Sequence, residues 1–185
     1  MHPIIVLVGV SGVGKSSLEA ELVRTLPGCQ KGVSTTTRNP RPGEVDGQHY
    51  HFVSRERFKA MQSNADFVET VQAASNHYGL TRVEVDIKLA RGPLLLVLEP
   101  HGIQQVQRYY PGRVKTLFLQ SPGLLELHRR RQSREGVLVA DTARELLDAR
   151  IAAYESEADH VIPTGTPTEV LVAVHDLMNY YRFVA

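Results

Sequence analysis

The sequence predicts an α/β fold, in which a mainly parallel sheet is flanked by helices. Three observations support this prediction. Apolar runs at residues 3–8, 94–99 and 114–119 are typical of strands that are buried on both faces. Helical patterns separate these runs, as they do in parallel sheets. A glycine-rich segment directly after the first run indicates a strand-to-helix turn.

The first predicted strand continues into a loop and then a helix. Residues 9–16 read Gly-Val-Ser-Gly-Val-Gly-Lys-Ser. Leu18 and Leu22 follow at helical spacing, and Pro27 is a stop signal for the helix. This is the context in which Gly-x-x-x-x-Gly-Lys-Ser predicts a phosphate-binding loop. The alternative is a glycine-rich turn that binds nothing, and the flanking strand and helix argue against it.

The chemistry of this loop predicts that it binds a nucleoside triphosphate. Its glycines let backbone N–H groups face an anion, and the N-terminus of the helix adds partial positive charge. Lys15 would reach the β- and γ-phosphates, and the Ser16 hydroxyl would bind Mg²⁺. The predicted triphosphate-binding residues are Gly9, Ser11, Gly12, Val13, Gly14, Lys15, Ser16 and Ser17.

Further strands and helices are predicted along the chain. Short strands are expected near residues 30–34 and 161–162. A threonine followed three residues later by glutamate forms a capping box, which indicates a helix N-terminus. Helix starts are therefore predicted at Thr81, Thr142 and Thr166, and a Ser-Pro pair predicts another at Ser121. The last helix, about 167–183, is expected to dock on the core through Val170, Leu171, Val174, Leu177 and Met178.

Two segments interrupt this pattern. Residues 35–80 are richer in polar and turn-forming residues and are predicted to hold one helix, about 55–63, among short strands. Residues 127–150 are arginine-rich around Gly136, a composition expected of a mobile cationic lid. A single domain is therefore expected, with a core (1–33, 93–126 and 151–185), an inserted α+β region (34–92) and a helical lid (127–150).

Composition limits the class of protein and its partners. Apolar residues make up 42% of the 185 residues and charged residues 22%, as in ordinary globular proteins. The net charge of +1 argues against a nucleic-acid polymer as partner. The single cysteine, Cys29, is interpreted as a small half-buried hydrophobe. Neither a leader nor a membrane span is recognised, so we expect a cytoplasmic protein, monomeric or homodimeric, without a membrane partner.

A second informative segment runs from Ser34 to Tyr50. It carries Arg38 and Arg41 in a loop stiffened by proline and glycine. Guanidinium groups pair bidentately with phosphate, and the hydroxyl groups of Ser34 and Tyr50 would fill the remaining positions. Two solvated loop arginines are the alternative. Because the same chain carries a phosphate-binding loop, a site for a second, dianionic substrate is the better interpretation.

Taken together, these motifs resemble the guanylate kinase family, P-loop enzymes that phosphorylate GMP. The resemblance extends from Gly9 to about Ile162. It includes both segments above, the arginine-rich lid, and the short motifs His51-Phe52-Val53-Ser54, Phe67-Val68-Glu69 and Tyr78-Gly79. The resemblance implies transfer of a phosphoryl group from ATP, with Mg²⁺, to GMP or dGMP.

The resemblance also implies roles for individual residues. The acceptor's phosphate would be bound by Ser34, Arg38, Arg41, Tyr50 and Tyr78, with Glu44 orienting the arginines. Catalytic cations would be Lys15, Arg38 and the lid residues Arg130, Arg134 and Arg150. Fixed cations are needed because negative charge spreads over the phosphoryl oxygens during transfer. The metal would be held by Ser16 and Glu99.

In this resemblance Glu69 would read the acceptor's base. A carboxylate accepts two hydrogen bonds side by side, and guanine offers N1–H and N2–H₂ on one edge. Adenine offers no such pair. Charge-assisted hydrogen bonds are worth about 1.5–3 kcal/mol each. Glu69 would therefore dominate the choice of guanine over adenine; the alternative is an exposed glutamate late in a strand.

Some positions depart from the family pattern. Leu80 cannot donate to guanine O6, Val97 cannot orient an arginine, and Thr164 replaces an asparagine near the donor base. Two other functions are therefore considered, a related nucleotide kinase with a different acceptor and a non-catalytic guanylate-kinase-like binding module. His49 and His51 are expected on one face of a strand, lining or supporting the acceptor site. A zinc site there is the weaker interpretation, because no third ligand is close in sequence.

Overall fold

The predicted parallel sheet is confirmed. A computed structural model describes residues 2–73, 75–121, 123, 127, 129 and 142–184. Among them the strands are β1 (Ile4–Val8), β2 (Gln30–Lys31), β3 (Thr35–Thr36), β4 (His51–Phe52), β5 (Phe67–Ala73), β6 (Asn76–Thr81), β7 (Leu94–Val97), β8 (Val114–Leu119) and β9 (His160–Ile162). The central sheet has the order β2-β7-β1-β8-β9, and its strands pair in parallel.

Helices flank this sheet and connect its strands. In the described part of the chain they are α1 (Lys15–Thr25), α2 (Arg55–Ser63), α3 (Arg82–Leu89), α4 (Pro100–Tyr109), α5 (Thr142–Ala153) and α6 (Pro167–Val184). The predicted helices at about 55–63 and 167–183 are confirmed as α2 and α6. Helix α4 was not predicted, although Pro100 at its start and the spacing of Ile103 and Val106 are typical of a helix. Of the helix predicted from Ser121, the structure describes Leu127 and Arg129, both of which are helical, and most of its other residues lie outside the described ones.

Capping boxes fix two helix starts as predicted. Thr81 Oγ1 accepts a hydrogen bond of 3.2 Å from Glu84 N at the start of α3. At α6 the box is reciprocal: Thr166 Oγ1 accepts from Glu169 N at 3.3 Å, and Glu169 Oε2 accepts from Thr166 N at 2.7 Å. Both satisfy backbone donors that a helix N-terminus leaves without an intrahelical partner. Helix α5 begins at Thr142, whose side chain lies outside the described residues.

The core lies on both faces of the central sheet, which explains the unbroken apolar strands. In β1 every residue is buried; Ile4, Val6 and Val8 belong to one apolar cluster, and Ile5 and Leu7 belong to the other. This alternation follows from the two-residue period of a strand. The first cluster is covered by α3 and α4, and the second by α1 and α6. All five predicted core positions of α6 pack on the second cluster, with Val174 and Met178 fully or almost fully buried.

The inserted region forms a second, smaller sheet with the order β4-β3-β6-β5. Helix α2 packs on it through Phe58, whose ring stacks on that of Phe67 with centroids 4.5 Å apart. This agrees with the prediction of one helix among short strands. The prediction that His49 and His51 share a strand face is wrong, because His49 lies in the turn before β4. In that turn His49 Nδ1 accepts a hydrogen bond of 3.0 Å from Val45 N.

Two simpler predictions concern the cysteine and membranes. Cys29 is buried, and burial, together with the nearby Glu19 carboxylate, raises the pKa of its thiol to about 11. A thiol with so high a pKa is a weak nucleophile, which agrees with a packing role. Within the described residues, none of the helices combines the length and the apolar character that crossing a membrane requires.

Candidate active site

The predicted phosphate-binding loop connects the buried end of β1 to the first turn of α1. Its glycines adopt backbone angles that L-residues rarely adopt, with φ of 87° at Gly12 and 106° at Gly14. Gly14 is the N-cap of α1, so the N-terminus of this helix lies at the loop and faces the site of a bound anion. Lys15 Nζ donates hydrogen bonds to Gly9 O at 2.6 Å and Val10 O at 3.0 Å. The ammonium group therefore lies against the loop itself.

One contact at this loop was not foreseen. Ser11 N donates a hydrogen bond of 3.1 Å to Asp148 Oδ1, a carboxylate carried by α5. Arg150, which was predicted to close over the phosphoryl group, is exposed on the same helix. An α-helix turns by about 100° per residue, so Arg150 lies about 200° around α5 from Asp148. Arg130 and Arg134, the other lid arginines, lie outside the described residues.

In the inserted region, Glu44 holds Arg38 as predicted. Arg38 Nη1 and Nη2 donate to the two Glu44 oxygens at 2.9 and 2.8 Å, a bidentate pair. Glu44 Oε2 also accepts from Arg41 N at 2.7 Å. The Arg38 guanidinium and this backbone donor lower the pKa of Glu44 to about 2. The carboxylate is thus ionised at any physiological pH. It holds one edge of the Arg38 guanidinium, whereas the Arg41 side chain is exposed.

Aromatic rings complete the surroundings of Arg38. Its guanidinium carbon lies 5.4 Å from the Tyr50 ring centroid and 5.8 Å from that of Phe52, within the range of cation–π attraction. Tyr50 and Tyr78 pack edge to face with centroids 5.8 Å apart. Register places Tyr78 opposite Thr36, and Ser34 O accepts a hydrogen bond from His51 N at 2.9 Å. The structure thus brings Arg38, Tyr50 and Tyr78 together, and Ser34 directly precedes β3 of the same small sheet.

Glu69 is buried, unlike the exposed glutamate that was the alternative interpretation. It lies within β5, and only 5% of its surface is exposed. Burial, and then the negative charge of Glu99, raise the pKa of Glu69 to about 7, although a hydrogen bond from the Leu80 backbone lowers it in part. A buried carboxyl group whose pKa lies near neutrality is typical of a functional site. The arrangement suits a ligand that offers two N–H donors.

Two residues that position Glu69 could not be read from the sequence. Gln105 of α4 makes paired hydrogen bonds to the backbone of Thr70: its Oε1 accepts from Thr70 N at 3.0 Å and its Nε2 donates to Thr70 O at 3.1 Å. Gly102, in the first turn of α4, leaves room for the Glu69 side chain. A Cβ at Gly102 would lie 3.1 Å from Glu69 Oε1 and 3.2 Å from its Cγ.

We expect Gly102→Ala to impair binding at the Glu69 end of the site. The added methyl group would push the buried carboxyl by a few tenths of an ångström, and we expect the KM of the acceptor to rise roughly three- to tenfold. The KM of the donor should not change. Steady-state kinetics with each substrate varied in turn would check this, with the exposed Gln107→Ala of the same helix as control. An equal rise in both KM values would contradict a local role for Gly102.

The two predicted metal ligands lie at the carboxyl end of the central sheet. Strands β1 and β7 are parallel neighbours, with Leu7 opposite Val97. Their carboxyl ends therefore lead side by side into the phosphate-binding loop and to Glu99. Ser16, in the first turn of α1, and Glu99, at the N-cap of α4, are both exposed there. A hydroxyl and a carboxylate are the hard oxygen ligands that Mg²⁺ prefers, so these residues fit the predicted ion.

The residues that depart from the family pattern either pack in the core or make a local hydrogen bond. Leu80 is fully buried in the first apolar cluster, and Val97 packs at the edge of the second. Thr164 follows β9, and its hydroxyl donates a hydrogen bond of 3.1 Å to Ser121 O. The apolar replacements at Leu80 and Val97 therefore contribute to the core.

Comparison with known proteins indicates one family. The family model described as guanylate kinase matches residues 1–180. A guanylate kinase from Alkalilimnicola ehrlichii is 40% identical over 151 residues, which is 81% of this chain and 71% of that relative. One from Desulfitobacterium hafniense is 38% identical over 179 residues, covering 95% and 87%.

A solved structure supports the same assignment. The crystal structure of guanylate kinase from Anaplasma phagocytophilum superposes with a TM-score of 0.77 at 26% identity, covering 98% of this chain and 86% of that one. The phosphate-binding loop, the Arg38–Glu44 pair and the buried Glu69 thus occur in a chain whose sequence and fold both match one family. The chain belongs to the guanylate kinase family and is a nucleoside monophosphate kinase.

Proposed function

We propose that this chain transfers the γ-phosphoryl group of ATP to the α-phosphate of GMP or dGMP. The observation that carries the choice of acceptor is Glu69, a carboxyl group with 5% of its surface exposed and a pKa raised to about 7 by burial. Burying such a group is costly unless a ligand uses it. The N1–H and N2–H₂ donors of guanine match its two oxygens.

The proposed reaction depends on positioning and electrostatics. The loop at Gly9–Ser16 would cradle the donor's phosphates, and Lys15 would stabilise charge on the transferred group. Arg38, Tyr50 and Tyr78 would hold the acceptor's phosphate in line for attack on the γ-phosphorus. Phosphoryl transfer of this kind needs no covalent intermediate on the enzyme.

We also propose that Mg²⁺ accompanies the triphosphate. Ser16 and Glu99 would hold the ion at the edge of the sheet where β1 and β7 end. There it would neutralise charge between the β- and γ-phosphates. The core, the inserted region and the lid at 127–150 would then act as donor site, acceptor site and cover.

A panel of acceptors tests the proposed function. ADP release would be measured with GMP, dGMP, IMP, AMP, CMP, UMP and dTMP at one ATP concentration. GMP and dGMP should give the highest kcat/KM for ADP release. IMP lacks the 2-amino group and should lose one of two charge-assisted hydrogen bonds, which corresponds to roughly a 10- to 100-fold lower kcat/KM.

The same panel separates the alternatives. A preference for another nucleotide would refute guanine as the base. It would favour a kinase with a different acceptor, the alternative that the apolar residues Leu80 and Val97 raised. Absence of ADP release with every acceptor, from a folded protein, would favour the non-catalytic binding module.

A further inference from the structure

The contact between Asp148 and the phosphate-binding loop points beyond the proposed function. Asp148 lies 137 residues from Ser11 in the chain, yet its Oδ1 is 3.1 Å from Ser11 N. The donor belongs to the loop whose backbone N–H groups would receive the triphosphate. A carboxylate and a phosphate oxygen are both anionic acceptors, so they compete for the same kind of backbone donor.

Helix α5 presents the Asp148 carboxylate to the loop, and not the Arg150 guanidinium. Arg150 is exposed, about 200° around α5 from Asp148. Glu145, also exposed, lies in the first turn of the same helix. The face of α5 that touches the loop thus presents a carboxylate, whereas the cation predicted to assist transfer lies on another face.

A triphosphate carries several negative charges, and a carboxylate held at the loop repels it. Nucleotide binding must therefore displace Asp148 from Ser11 N or leave two anions beside each other. When a binding site is accessible in only a fraction of the molecules, the apparent dissociation constant rises in inverse proportion to that fraction. Asp148 would lower that fraction in the unliganded protein.

We propose that Asp148 is an intramolecular competitor of the nucleotide's triphosphate for Ser11 N, and that it lowers the affinity for ATP. The proposal rests on the proposed function in one respect, that this loop binds the triphosphate.

Calorimetric titration tests the proposal directly. Inorganic pyrophosphate and Mg²⁺-free ATP would be titrated into the wild-type protein and into Asp148→Ala, Asp148→Asn and Glu157→Gln. Removing the competing charged acceptor should lower both dissociation constants roughly tenfold in Asp148→Ala. Asp148→Asn keeps an acceptor oxygen without the charge and should give an intermediate value. Glu157→Gln makes the same change of charge at an exposed site beyond α5 and should bind as the wild type does.

The outcomes are distinct. Equal or weaker binding by both Asp148 variants would overturn the proposal, and so would equal tightening by Glu157→Gln, which would indicate a general charge effect. Thermal melting shows whether each variant is folded. If Asp148→Ala is not folded, the comparison uses Asp148→Asn. Failure of the folded wild-type protein to bind either probe would instead refute the loop as a triphosphate site, and thus the proposed function.

Discussion

Replacing Lys15 with methionine is expected to lower kcat roughly 10²- to 10³-fold, equivalent to about 2.7–4 kcal/mol of transition-state stabilisation. Lys15 is the first residue of α1, and its Nζ is held by Gly9 O at 2.6 Å and Val10 O at 3.0 Å. These carbonyl groups fix the ammonium beside the loop before any ligand binds. A cation placed in advance stabilises developing negative charge without reorganisation during the reaction.

The Lys15 prediction separates catalysis from folding. Lys15 is only half-buried, and methionine is a good helix former of similar length, so the melting temperature should change little. Lys59→Met, at an exposed position of α2, is the matched control and should keep wild-type turnover. A Lys15→Met enzyme with near-normal kcat in the ADP-release assay would remove the loop from the reaction and refute the proposed donor site.

Local sequence was sufficient where structure depends on near neighbours. The loop at 9–16, helix α2 and the cap of Thr81 all follow from residues within one or two turns, and the structure has them where predicted. The pair of Arg38 and Glu44 is also local, since both belong to one stiffened loop. Here spacing and chemistry together limit the possible contacts.

Contacts between distant segments could not be predicted in the same way. Nothing in the sequence around Asp148 indicates that it meets Ser11, because that contact depends on how α5 packs. The need for glycine at 102 is visible only once α4 lies against Glu69. His49 was misplaced because the alternation of two histidines resembles a strand, whereas Val45 N closes a turn onto the ring. Such contacts are set by tertiary packing, which overrides a local pattern.

Glu69 connects the acceptor site to pH and to stability. Burial and the charge of Glu99 raise its pKa from an ordinary value of 4.5 to about 7. Because only the ionised form accepts both guanine hydrogen bonds, binding of GMP should weaken as pH falls through 7. With a pKa of about 7, the ionised fraction falls roughly tenfold between pH 8 and pH 6, so the KM for GMP should rise about tenfold.

Stability should change with pH in the opposite sense. The unfolded chain loses the Glu69 proton near pH 4.5, whereas the folded chain keeps it until about pH 7. Between these values the folded state binds more protons, so the free energy of unfolding falls as pH rises through that window. The ionised carboxylate then remains a cost to the folded protein above pH 7. Removing the ionisable group should therefore stabilise the protein at pH 8 but not at pH 4.

Glu69→Gln tests both expectations in one variant. The amide has nearly the same shape but cannot ionise, and its NH₂ group opposes the donors of guanine. We expect the KM for GMP at pH 8 to rise roughly 10- to 100-fold, the melting temperature at pH 8 to increase, and the pH dependence assigned to Glu69 to disappear. The second ionisation of the GMP phosphate is common to both proteins, so it cancels when their profiles are compared.

Glu157→Gln, an exposed change of the same charge, is the control for the Glu69 variant and should behave as the wild type does in both measurements. Acceptor kinetics and thermal melts from pH 5 to pH 8.5 would be compared for the three proteins. An unchanged KM for GMP in Glu69→Gln would show that the carboxyl group does not touch the base. Lower stability of Glu69→Gln at pH 8 would mean that the ionised carboxylate is compensated within the folded protein. A stabilised variant with impaired GMP binding would instead show that the fold tolerates a destabilising buried acid because the acceptor's base requires it.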